Sequence, residues 1–108
     1  MSGQNPEILP PDQCITMSDL RPQIDALDRA LVQLLAMRQR YIERAAEIKG
    51  RRSEIRDEAR IADVLAKVTA AADTNGLNAD IARAVWRTLM EGSIALEMER
   101  FEALQRRK

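Results

Sequence analysis

A seven-residue apolar repeat from Leu20 to Ile48 constrains this chain more than any other feature. Leu20, Ile24, Leu27, Leu31, Leu34, Arg38, Tyr41, Ala45 and Ile48 follow one another at alternating spacings of four and three. That is the seam of a long helix that buries one stripe against another helix. Such a helix is about 48 Å long, whereas a compact domain of this size has a radius of gyration of only about 13 Å. It is expected to project beyond its own domain and to be covered by a partner or, most economically, by a second copy of the chain.

Arg38 breaks the repeat by placing a permanent cation where a core side chain belongs. Away from water, a guanidinium needs a protein carboxylate, an exit to solvent or an anionic ligand. Lys49 lies eleven residues on, about 20° from the direction of Arg38, so two cations share one stripe. Arg21 is about 100° around the helix, so it does not easily aim at the same point within one chain and is placed to reach a neighbouring chain's site in a dimer. Each has an ordinary explanation: a snorkelling or salt-bridged Arg38, and a Lys49 held at a helix end by the dipole.

The rest of the chain also reads as helix, since nothing alternates with period two. Residues 1–16 hold three of the four prolines and read as an N-terminal tail or strap, with residues 17–108 forming one helical domain. Ser18 is expected to cap the first helix, Pro22 to fall in its first turn, and Gly50 to end it after Lys49. A polar loop over 51–56 leads to a second helix from about Asp57 to Ala72, with Ile61, Val64, Leu65 and Val68 on its inner face. Asp73, Thr74, Asn75 and Gly76 end that helix, and Asn78 caps a third running to about Leu104. On the third helix, Trp86, Met90, Ser93 and Glu97 form an apolar ridge ending in a hydroxyl and a carboxyl. Here too local pairings are available: Arg60 with Asp57, Glu97 with Arg100, and Ser93 with a helix carbonyl.

Composition narrows the function. The 17 basic and 17 acidic residues cancel and only three residues are aromatic, which argues against nucleic acid as a partner. No stretch approaches the roughly 20 apolar residues of a membrane span, and the first residues lack the pattern of a secretory signal, so a cytoplasmic location is expected. One cysteine, Cys14, and no histidine exclude an intrachain disulfide, a conventional Cys/His metal site and a serine triad. What remains is a local cluster of cations and hydrogen-bonding groups on apolar faces, suited to a dianionic small molecule.

The segments LRPQIDALDRALVQLLAMRQRYIERAAEIK (20–49), IRDEAR (55–60) and EGSIALE (91–97) resemble the all-helical, type II class of chorismate mutase over roughly residues 14–104. The resemblance implies an all-α, three-helix fold in an intertwined homodimer with two equivalent sites. It implies that Arg21 crosses from the partner chain and that Arg38 and Arg60 join it on the substrate's two carboxylates. Lys49 would bond the ether oxygen and a carboxylate, Asp57 would lie near the substrate hydroxyl, Ser93 would support a carboxylate, and Glu97 would face the ether oxygen. The implied reaction, a Claisen rearrangement of chorismate to prephenate in phenylalanine and tyrosine biosynthesis, needs no metal or cofactor. Because Glu97 can donate to the ether oxygen only when protonated, activity is expected to decline with rising pH.

Two positions depart from the family pattern. Ile61 stands where many members carry a glutamate that holds the substrate hydroxyl, and Glu97 where many bacterial members carry glutamine. Ile61 and the strap PPDQC also resemble isochorismate pyruvate lyase, a sister enzyme on the same scaffold. The resemblance therefore leaves chorismate or isochorismate open as the expected substrate, and a noncatalytic helical dimerisation or regulatory module is the alternative outside enzymes.

Overall fold

A computed structural model describes residues 8–107. Three α-helices account for most of it: α1 over Met17–Ile48, α2 over Glu58–Asn75 and α3 over Ala79–Arg106. Two short 3-10 turns, Pro11–Gln13 and Arg52–Glu54, complete the described residues, which contain no strand. The chain divides into two compact units, Met1–Arg40 and Tyr41–Lys108.

In the first unit, α1 starts at a cap other than the expected Ser18. The Asp19 amide donates to Thr16 Oγ1 at 3.2 Å, and the Asp19 carboxylate accepts from the Ile15 and Thr16 amides at 3.1 Å each. This reciprocal Thr-x-x-Asp box satisfies three amides at once, whereas a Ser18 cap would leave them unanswered. Pro22 consequently sits in the second turn, inside the helix, where its ring removes one helical hydrogen bond. Segment 8–16 is tied down by the Leu9 amide, which donates to Gln23 Oε1 at 2.8 Å; residues 1–7 of the expected strap lie outside the described residues. Along α1 the seam side chains Ile24, Leu27, Leu31 and Leu34 are exposed.

In the second unit, the end of α1, the connection to α2 and α3 share a small core. Ala46, Ile55 and Phe101 are buried together, with Ile94 and Met98 packed against them. Ile55 shows that the expected polar loop 51–56 carries an apolar anchor. Asp57 caps α2 by accepting from the Arg60 amide at 3.1 Å, and Asn78 caps α3 by accepting from the Ile81 amide at 3.0 Å. Gly76, at φ 71°, ends α2 three residues beyond the expected Ala72. The Leu77 amide donates to Ala72 O and the Gly76 amide to Asp73 O, a Schellman turn that only a left-handed residue permits without strain. Ala72 and Ala82, both almost fully buried, allow close packing near that turn. The expected inner faces hold: Ile61, Val64, Leu65 and Val68 are half-buried, as are Trp86 and Ser93, while Met90 and Glu97 are buried.

Candidate active site

Glu97 is the one buried charged side chain among the described residues, 4% exposed on the inner face of α3. The sequence offers it Arg100 one turn on, yet Arg100 pairs with Glu43 at 3.3 Å. Glu97 instead meets Lys49, just past the end of α1, with Nζ 2.7 Å from Oε2. The distance is that of a tight ion pair, while Oε2 lacks a partner in hydrogen-bond geometry. We read the contact as a Coulombic one that leaves acceptor capacity on Glu97 unspent. Lys49 is fixed from below by its own amide, which donates to Ala45 O at 3.0 Å.

Lys49 also lines a cavity of about 440 Å³ with Ser53, Glu54, Arg56, Asp57 and Glu58. This cavity is an open groove with mostly polar walls. Two of the expected residues, Lys49 and Asp57, thus share a wall, and Lys49 connects that wall to Glu97. Asp57 reaches this position because the cap geometry turns its carboxylate back over the first turn of α2.

Arg60 does not line this cavity. Its guanidinium pairs with Asp63, one turn on along α2, at 2.7 Å rather than with Asp57. Asp63 also binds Lys67 at 2.9 Å, and the two cations, Lys67 first, hold its carboxyl below the usual carboxylate range. Ser93 is half-buried one turn before Glu97. In the other unit, Arg38 is half-buried on α1 while Arg21 is exposed.

Residues 20–98 match the chorismate mutase type II family model. The chain belongs to that family. Among curated proteins it is similar to the isochorismate pyruvate lyase of Pseudomonas aeruginosa, with 28% identity over 89 residues that cover 82% of this chain and 88% of that enzyme. The chorismate mutase type II match spans all seven expected site residues, from Arg21 to Glu97.

Sequence reasoning missed Arg56. Its Nε donates to Glu58 at 2.7 Å, and its Nη1 and Nη2 donate to the two oxygens of Glu91 at 3.0 and 2.7 Å. Hydrogen bonds from Arg56 hold the Glu91 carboxyl below its ordinary value, and Glu91 first and Glu58 second raise the Arg56 guanidinium. Both residues fall in the segments that carry the family resemblance, but a contact across 35 positions leaves no periodic signal.

Proposed function

We propose that this protein converts chorismate to prephenate. The observation that carries the reading is the pairing of Lys49 with buried Glu97 beside an open polar groove that Lys49 and Asp57 line. In a Claisen rearrangement one carbon–oxygen bond breaks as one carbon–carbon bond forms, so no nucleophile is required. Two tasks remain: holding the enolpyruvyl arm over the ring, and stabilising charge that develops on the ether oxygen.

Lys49 suits the second task, because its ammonium carries three donors and can serve Glu97 and an ether oxygen together. The Glu97 carboxylate, ion-paired with that ammonium, holds it in place. Arg38 and Arg60 suit the first task, since planar forks grip carboxylates in fixed geometry. Asp57 takes the substrate hydroxyl and Ser93 supports a carboxylate. Arg21 completes the site from the partner chain of a homodimer, a state favoured by the exposed apolar seam of α1.

A second reading has its own support. The similarity to a curated isochorismate pyruvate lyase and the apolar Ile61 both favour elimination of pyruvate from isochorismate on the same cationic clamp. Supplying purified protein with each substrate separately, and following prephenate, salicylate and pyruvate, decides between them. Prephenate from chorismate supports the mutase; salicylate and pyruvate formed faster from isochorismate replace it with the lyase. Neither product, together with failure to bind a dicarboxylate transition-state mimic, leaves a noncatalytic dimerisation module.

A further inference from the structure

The cavity beside Lys49 poses an electrostatic problem. Its walls carry two cations, Lys49 and Arg56, against three carboxylates, Glu54, Asp57 and Glu58. A dianion entering such a site meets a net negative wall unless the carboxylates are turned aside or neutralised. Arg56 pairs with Glu58 through its Nε at 2.7 Å, which cancels one carboxylate and leaves Lys49 against Glu54 and Asp57.

The other end of the same guanidinium grips Glu91 with both Nη atoms. A forked pair fixes orientation as well as distance. Glu91 stands on α3 two residues before Ser93 and six before Glu97, so the fork ties the segment leading into α2 to the helix that carries Glu97. Ile55, buried next to Arg56, anchors the depth of that segment, while Arg56, with Arg52 paired to Glu102 at 3.1 Å, ties it to α3 just before the Asp57 cap.

We propose that Arg56 is a positioning residue of the anion site, clamping the segment Arg51–Asp57 to α3 through Glu91 and masking the Glu58 carboxylate from an incoming dicarboxylate. The inference deepens the proposed function and rests on it for the identity of the dicarboxylate.

The two halves separate experimentally. Hydrogen exchange at the Glu54, Ile55 and Arg60 amides, each bonded within or beside the segment, reads the clamp. Arg56→Gln and Glu91→Gln are each expected to speed exchange there by about threefold to fivefold, the factor an exposed pair supports, with α3 amides unchanged. Equal exchange in parent and both variants overturns the clamp. For masking, Arg56→Gln is expected to raise KM for chorismate or isochorismate by roughly fivefold with kcat little changed, and adding Glu58→Gln to recover most of that rise. A purely structural role for Arg56 predicts no recovery, which overturns the masking half. A parent protein that neither binds nor converts either substrate sinks the proposed function and the masking half together, while the exchange rates still decide the clamp.

Discussion

At residue scale, Lys49 and Glu97 are held to one another by competing demands. A carboxylate 4% exposed needs a partner, and the ammonium 2.7 Å away supplies one. Removing only the cation strands the anion, a situation that costs about 3 kcal/mol for buried pairs. Lys49→Ala is therefore expected to lower stability in urea unfolding by about that amount and to abolish turnover. Adding Glu97→Gln removes the stranded charge, so the double variant regains stability yet stays inactive. Recovery of neither property would leave Lys49 as a packing residue, and recovery of both would remove it from the chemistry. This pair was half legible in the sequence. Its members' helical faces could be read from spacing, but their meeting could not, because it depends on how α3 lies against the end of α1.

At element scale, caps decide where helices begin, and two of them overlap with function or with pH. Asp57 both caps α2 and lines the cavity, so Asp57→Asn and Asp57→Ala separate the roles. Asparagine caps nearly as well as aspartate, whereas alanine costs about 1 kcal/mol. Asp57→Asn is expected to keep the parent's stability, with any loss of activity then reporting the lost charge; Asp57→Ala is expected to lose both. At α1, hydrogen bonds from the Ile15 and Thr16 amides hold the Asp19 carboxyl below its ordinary value. A group lowered in the folded state stabilises above its unfolded pKa, and that contribution disappears as pH falls through the folded value. Thermal unfolding should therefore show parent and Asp19→Asn differing at pH 7 and converging below about pH 4. The caps Asp57 and Asn78 were legible because each is a short polar side chain of a capping type at the start of a helical apolar period. Thr16 was not, since Ser18 offers the same hydroxyl two residues later and only the reciprocal bonds of Asp19 distinguish them. Ile55 was hidden for a different reason: one apolar residue among charges has no period to announce its burial.

At the scale of the whole molecule, the long repeat in α1 asks for a partner. Leu31 and Leu34 are 55% and 54% exposed, and a continuous row of such side chains is the pattern that helices bury against one another. A second copy satisfies both this seam and the geometry of Arg21, which lies about 100° from Arg38 around the helix and cannot easily aim at the same point within one chain. Sharing of sites between chains is testable by complementation. Arg21→Ala and Arg38→Ala are each expected to lose most turnover as separate preparations. If the sites are shared across a dimer, mixing them under conditions that exchange subunits is expected to give heterodimers in which one of the two sites draws an intact Arg21 and an intact Arg38 from different chains. Random pairing makes about half of the dimers mixed, each with one intact site, so activity should return to about a quarter of the parent's per chain. Exchange demonstrated by mass spectrometry without any return of activity would show that each chain builds its site alone, and would leave the exposed seam of α1 to explain dimerisation without catalysis.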